Sequence, residues 1–255
     1  MPVVRTVDTL PARRAAGWIE WDWAGPDTFG APVPMTARRM VLGPGAGRPE
    51  IPLGSREAMV YVASGSGTAE AAGEVFTLSH ESVLWLAGTD AVTLRADEAG
   101  LDALIAESTG PDAPGGPALA KVFAAGELPH LVSTRDTRDR LDLVTDDVPV
   151  GARRIRADRI IYHPGDTAAA HHHTDCHHVF CVLGGSGLLR TGQQAARLDA
   201  GMSALVGPGE VHWFENDTSA DFSFVEFWAP PPTETVWTVA GDRCTWSPAH
   251  WSPAH

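Results

Sequence analysis

Residues 165–185, GDTAAAHHHTDCHHVFCVLGG, decide the reading of this chain together with residues 201–216, GMSALVGPGEVHWFEN. In the first stretch five residues separate Gly165 from His171, one separates His171 from His173, four separate His173 from His178, and six lead on to Gly185. In the second, Gly201 is followed after five residues by Gly207-Pro208-Gly209, after two more by His212, and after three more by Asn216. Side chains alternate along a strand, so His171 and His173 face one way and His172 the other. Two imidazoles at that spacing make one side of a metal site, and a later strand carrying His212 supplies the opposite side. Neutral imidazole suits iron, zinc, nickel, copper or manganese, whereas magnesium or calcium needs oxygen ligands.

The sequence around these stretches has the punctuation of an all-β protein. Apolar bursts at Met59–Ala63, Val83–Leu86, Val179–Leu183, Ser203–Val206 and Phe222–Trp228 are bounded by Gly, Pro, Asp or Asn, as in antiparallel sandwiches and barrels. The 26 glycines and 20 prolines fit many tight turns. Short helices are expected only at Leu101–Ser108 and Ala118–Ala125. The run Thr109–Pro117 holds three prolines and three glycines and can sustain neither helix nor strand. These marks divide the chain into an N-terminal domain over 1–110, a linker over 111–123, a C-terminal domain over 124–245 and a tail over 246–255.

An internal repeat supports two copies of one β-barrel unit. A shift of 120 residues lays Pro44-Gly45 on Pro164-Gly165, and VASGSG (62–67) on VLGGSG (182–187); at a shift of 121, Gly88 falls on Gly209. The histidine cluster lies in the second copy. Its first-copy counterparts are Ile51, Leu53, Ala58 and Ala91, none of which binds a metal, so the N-terminal copy reads as structural.

The two histidine-bearing stretches resemble the two motifs of the cupin family. The first motif is a glycine, a His-x-His pair, a glutamate and a glycine, matched by Gly165, His171, His173 and Gly185. The second is a glycine, Pro-x-Gly, a histidine and an asparagine, matched by Gly201, Gly209, His212 and Asn216. His178 stands where the glutamate is usual, and the proline is displaced by one, to Pro208. The resemblance implies two tandem cupin barrels, double-stranded β-helices of the jelly-roll type, with one metal in the second. It names His171, His173, His178 and His212 as ligands. His177 competes with His178 for the fourth place, and the distance to Gly185 favours His178. His172 and Cys176 read as outward-facing or loop residues.

A metal site only in the C-terminal half is similar to the ureidoglycine aminohydrolase group, while a mainly histidine shell is similar to gentisate and diketone dioxygenases. Cupins host oxygenases, isomerases, decarboxylases, hydrolases and plain binders, so the resemblance bears on fold more than on reaction. One divalent transition metal is the implied cofactor. Fe(II) is the first choice, because open all-histidine cupin sites resemble those that activate dioxygen; Mn, Ni, Zn and Cu are the others.

Four neutral imidazoles would leave the ion its full double positive charge, which favours a small anionic organic substrate such as a carboxylate, enolate or catecholate. Strand parity from His178 turns Phe180 and Val182 inward, and parity from His212 turns Phe214 inward, giving an apolar pocket wall or ordinary core. In Phe222–Trp228, Glu226 shares a face with Phe222, Phe224 and Trp228. An isolated carboxylate there has a raised pKa and is a candidate general base; exposure or an arginine partner is the plainer reading. In the strand Arg153–Tyr162, Arg156, or Arg159 on the other face, is a candidate clamp for a substrate carboxylate. Three functions follow: a metal-dependent oxygenase (the first reading), a non-redox isomerase, lyase or aminohydrolase with Glu226 moving a proton, and a small-molecule-binding module.

Composition excludes other classes. The net charge is −13, with 19 basic against 32 acidic residues and Lys121 the only lysine, so nucleic acid and anionic membranes are poor partners. The three cysteines are too few for a disulfide framework, and no apolar run is long enough for export or membrane spanning; a cytoplasmic location is expected. Nine tryptophans, among them Trp18, Trp21, Trp23, Trp237 and Trp246 outside the motifs, need burial on a partner barrel or in a homodimer. The tail repeats WSPAH at 246–250 and 251–255, and reads as a small duplication or scar.

Overall fold

A computed structural model describes residues 3–6, 9–25, 33–54, 56–109, 118–147, 150–239, 241 and 243–248. Strands make up the regular structure, with a 3-10 turn at Ala125–Glu127. The chain forms two units: an N-terminal unit of Val7–Glu127 and Val144–Arg156, and a C-terminal unit of Met1–Thr6, Leu128–Leu143 and Ala157–His255.

In the N-terminal unit a nine-stranded sheet runs in the order Leu119–Ala124, Ser82–Ala87, Ala58–Ala71, Ala91–Ser108, Met35–Leu42, Trp18–Ala24 and Ala12–Ala15. Gly47–Pro52 adds to Ala91–Ser108, and Glu74–Leu78 to Ala58–Ala71. The two expected helices are therefore strands. Leu101–Ser108 is flanked by Met35–Leu42 and Ala58–Ala71, so nearly all of its residues are buried and the alternation that marks a half-exposed strand is lost. Leu119–Ala124 pairs with Ser82–Ala87, which places it in the N-terminal unit rather than in a linker. The glycine- and proline-rich run over 110–117 lies outside the described residues.

Two further segments cross the expected boundary. Residues Val144–Arg156 belong to the N-terminal unit, where the buried Glu57 carboxylate accepts hydrogen bonds from the amides of Arg153, Arg154 and Ile155 at 2.7 to 3.3 Å. Val3–Thr6, at the other end of the sequence, pairs with Met202–Val206 in the C-terminal unit. The core of the N-terminal unit includes Met40, Leu42, Val60, Leu84 and Ile105, and it takes in Ile51, Leu53 and Ala58. Three positions that would carry ligands in the second copy are thus filled with hydrocarbon. Trp18, Trp21 and Trp23 sit in a strand of this sheet, and Trp18 packs against its core.

The C-terminal unit has an eight-stranded sheet in the order Val3–Thr6, Met202–Val206, His177–Gly184, Phe222–Ala229, Arg156–Tyr162, Asp139–Val144, His130–Ser133 and Trp246–Pro248. A three-stranded sheet joins Gln194–Asp199, Ser186–Thr191 and Trp213–Glu215, and a two-stranded one joins His171–His172 to Val236–Trp237. Phe180, Val182, Phe214, Phe222, Phe224 and Tyr162 belong to one buried cluster, as strand parity requires. Trp246, from the first WSPAH copy, lies 5.5 and 5.0 Å from the guanidinium groups of Arg138 and Arg140, and the strand Trp246–Pro248 pairs with His130–Ser133. The second copy lies outside the described residues.

The repeat is visible in the backbone. Gly65 and Gly185, equivalent under the shift of 120, have φ of +82° and +73°. A Cβ on Gly65 would run into the carbonyl of Gly100, and one on Gly185 into that of Asp221. At this position, inside Ala58–Ala71 in one unit and just past His177–Gly184 in the other, the backbone passes against the strand beside it with room only for hydrogen. Gly185→Ala is therefore expected to cost at least about 3 kcal/mol, summing a left-handed conformation and an overpacked contact. Gly192→Ala, at φ +60° with no atom near the added carbon, should cost only about 1 kcal/mol. Chemical denaturation of the two variants checks this ordering.

His163 bridges two elements of the C-terminal unit. Its Nδ1 meets Asp221 at 2.9 Å and its Nε2 meets Asp139 at 3.1 Å, while His130 reaches the other oxygen of Asp139 at 2.9 Å. The bond to Asp221 and then that to Asp139 raise the His163 pKa against partial burial. The imidazolium is the form that stabilises the fold, so this contribution is complete below the unfolded value of about 6.5 and is lost as pH rises through the higher folded value. The difference in thermal midpoint between the parent and His163→Gln should accordingly shrink between pH 6 and pH 9.

Candidate metal centre

Backbone pairing brings the histidines together. The amide of His171 donates to the carbonyl of His212 at 3.1 Å, and the amide of His212 returns the bond at 2.8 Å. The carbonyl of His173 accepts from Gly209 at 2.7 Å, which shows what the Gly207-Pro208-Gly209 turn does for the site. His178 and Glu226 come from the adjacent central strands His177–Gly184 and Phe222–Ala229, where His178 pairs with Trp228 and Phe180 with Glu226.

His171, His173 and His212 each offer a ring nitrogen, and these atoms all lie within 4.8 Å of one another. The Nδ1 of each ring is engaged by a main-chain carbonyl: Ala169 at 2.8 Å for His171, Glu234 at 3.2 Å for His173 and Glu210 at 2.9 Å for His212. An Nδ1–H donating to a carbonyl fixes the tautomer and leaves the Nε2 lone pair for a metal. The Nε2 of His212 is buried with no hydrogen-bond partner, a costly arrangement that a bound cation relieves. The donor set fits a divalent transition metal.

Electrostatics agree with that fit. Burial lowers the His171 pKa to about 4, with neighbouring His173 and Arg138 adding to the effect. Burial, and then His171, hold His212 well below its ordinary value. Both imidazoles are neutral at physiological pH, as metal ligands must be.

His178 stands beside this triad, with ring centroids 5.7 Å from His173 and 5.5 Å from His212, but its nitrogens are not among the converging set. Its Nε2 meets the Glu226 carboxylate at 3.0 Å, and both side chains are buried. Glu226 is therefore neither solvent-exposed nor isolated among aromatics; it is held by an imidazole. Trp228 stacks on one side of His178 at 4.3 Å, and Phe180 lies 3.8 Å from it. Of the other expected pocket residues, Phe214 packs 4.6 Å from Phe180, and both Phe214 and Val182 are part of the core. Arg156 opens its strand on the face shared by Asp158, Ile160 and Tyr162, and is partly exposed.

Cys176 is the loop residue before His177–Gly184, but it is buried; burial, with Asp175 and Glu226 nearby, pushes its thiol up to about 12, so it stays protonated. Some contributors to the site went unread in the sequence. Trp237 lies 5.2 Å from the His171 ring. Arg138 is buried, bonded to Asp136 at 2.8 Å and to the Tyr162 hydroxyl at 3.2 Å. Its only sequence signal is the nearby aspartate, which is no signal of a buried site.

The fold and the site define the class, an all-β protein with the bicupin fold and, among the described residues, one candidate metal site, in the C-terminal unit. The family profile of the cupin domain matches residues 158–228, the stretch that carries His171, His173 and His212. No curated protein sequence matches it. Among solved structures it is similar to protein Ylba from E. coli, of family DUF861, at 18% identity and a TM-score of 0.73, covering 91% of this chain and 93% of that one. It is also similar to oxalate decarboxylase OxdC from Bacillus subtilis, at 13% identity and a TM-score of 0.74, covering 92% of this chain and 78% of that one. At such identities the likeness shows the fold.

Proposed function

We propose that the protein is a metal-dependent enzyme that moves a proton on a small anionic organic substrate without net oxidation. The observation that carries this reading is the buried His178–Glu226 pair, at 3.0 Å, beside three convergent imidazoles. His171, His173 and His212 would hold the ion. When bound, it supplies Lewis-acid polarisation of the substrate and, with three neutral ligands, a positive charge that favours an anion.

The protein's own groups do the rest. Glu226 is the proton acceptor, and His178 holds its Oε2 in place through Nε2–H. Trp228 and Phe180 fix the plane of the His178 ring and keep water from the pair. Manganese stands beside iron as the metal to test, because Mn(II) centres are named for the structurally similar oxalate decarboxylase of Bacillus subtilis. An iron-dependent oxygenase is the second reading, favoured by the all-imidazole donor set.

One experiment separates the two. The protein loaded with Mn(II) or with Fe(II) is offered diketones, oxalate and other small carboxylates, thiols and aromatic acids, with and without oxygen. Product formed equally under anaerobic conditions supports the non-redox reading. Oxygen consumed in proportion to product by the iron-loaded protein replaces it with the oxygenase.

A further inference from the structure

We propose that the segment Thr233–Thr238, beyond the strand Phe222–Ala229, is the positioning element of the metal centre, and that metal affinity depends on its docking. The proposal rests on the three-histidine reading and concerns what aims those histidines.

The ligand strand His171–His172 is held on both edges. One edge carries the reciprocal bonds between His171 and His212; the other pairs with Val236–Trp237, in the register His171 to Trp237 and His172 to Val236. Just past that pairing, the amide and hydroxyl of Thr238 both donate to the carbonyl of Ala170, at 3.1 and 3.0 Å. The Trp237 ring packs 5.2 Å from that of His171. At the other end of the segment, the amide and hydroxyl of Thr233 donate to the two carboxylate oxygens of Asp175, at 3.4 and 2.7 Å.

Between these anchors lies the contact that matters chemically. His173 gives its Nδ1–H to the carbonyl of Glu234, 61 residues away in sequence. His171 and His212 find their acceptors two residues away, on Ala169 and Glu210. Those two rings are aimed by their own loops, whereas His173 is aimed by a distant segment. Partners that orient a ligand in this way typically carry 10- to 100-fold of metal affinity, roughly. A main-chain carbonyl cannot be mutated away, but its position can be disturbed through the anchors. Linkage requires the reverse as well: an ion that needs the docked segment must stabilise the docking by the same factor.

Two substitutions test the anchors. Thr233→Val keeps the side-chain shape and removes the hydroxyl donor to Asp175, and Thr233→Ser restores it. Val236→Pro removes an amide that the alternation of the antiparallel ladder, fixed by the Thr238 to Ala170 bond, aims at the His172 carbonyl. Zn(II) affinity of the full-length protein is measured by competition with a chromophoric chelator, with apo-protein melting as the fold control. Thr233→Val should bind about three- to tenfold more weakly and Thr233→Ser within about twofold of the parent, because one charge-assisted hydrogen bond is at stake. Val236→Pro should lose about 10- to 100-fold. In the parent, Zn(II) should slow amide exchange across residues 233–238.

A parent that fails to bind one Zn(II) per chain overturns the three-histidine reading itself. A parent that binds, with Thr233→Val equal to it and exchange across 233–238 unmoved by Zn(II), overturns this proposal alone. If Val236→Pro does not fold, the Thr233→Val and Thr233→Ser pair decides.

Discussion

His212→Ala is expected to abolish stoichiometric metal binding while the chain still folds. Elemental analysis of the parent should give one equivalent of metal per chain, and the variant should retain a small fraction of it after dialysis. The ring of His212 is buried, its Nδ1 is committed to Glu210, and its Nε2 has no partner but the site. If a four-ligand structural zinc is worth about 10–16 kcal/mol, one imidazole of three carries on the order of 3 kcal/mol, a loss of about a hundredfold or more in affinity. The backbone bridge between His212 and His171 does not involve the side chain and persists in the variant. His171→Ala and His173→Ala should behave alike. His178→Ala is the discriminating case: it should bind metal within a few-fold of the parent, because its ring is held by Glu226 and lies outside the converging set. Loss of metal from His178→Ala equal to that from His212→Ala would establish a four-imidazole centre instead.

The triad was legible in the sequence through alternation, which puts His171 and His173 on one side, together with the resemblance to the second cupin motif, which adds His212; the structure brings the three ring nitrogens within 4.8 Å of one another. What sequence cannot show is which atom each ring aims at the site. The answer depends on the carbonyls of Ala169, Glu210 and Glu234, and every residue has a carbonyl. His178 illustrates the limit: spacing places it where the cupin motif has its glutamate, but the carboxylate that engages its Nε2 comes from Glu226, 48 residues on.

Parity read Phe180, Val182 and Phe214 as inward, and the core holds all three. Parity failed for Leu101–Ser108, where burial on both faces erased the alternation and left helix-forming residues in a central strand. The unit boundaries were hidden for a different reason. Glycine and proline mark where regular structure stops, but membership of a sheet is decided by distant partners, as when Leu119–Ala124 pairs with Ser82–Ala87 and Val3–Thr6 with Met202–Val206.

Glu226→Gln is expected to remove turnover and leave the metal in place, the combination that separates a proton carrier from a ligand. The amide is nearly isosteric, and its oxygen can still accept the hydrogen bond from His178 Nε2, so the ring stays where Trp228 and Phe180 hold it. What is lost is the ability to take up a proton, which for a positioned general base is worth about 10²- to 10⁴-fold in rate. Metal content and substrate affinity should stay close to those of the parent, placing the effect on kcat rather than KM. A readout independent of product identity is the incorporation of solvent deuterium into substrate carbon, followed by NMR with whichever acid the panel identifies. The parent should exchange in the metal-loaded form, and Glu226→Gln should not. Glu226→Asp, which keeps the carboxylate but shortens its reach to His178, should fall between the two. Exchange by Glu226→Gln at the parental rate would remove Glu226 from the chemistry and leave the carboxylate as a clamp on His178.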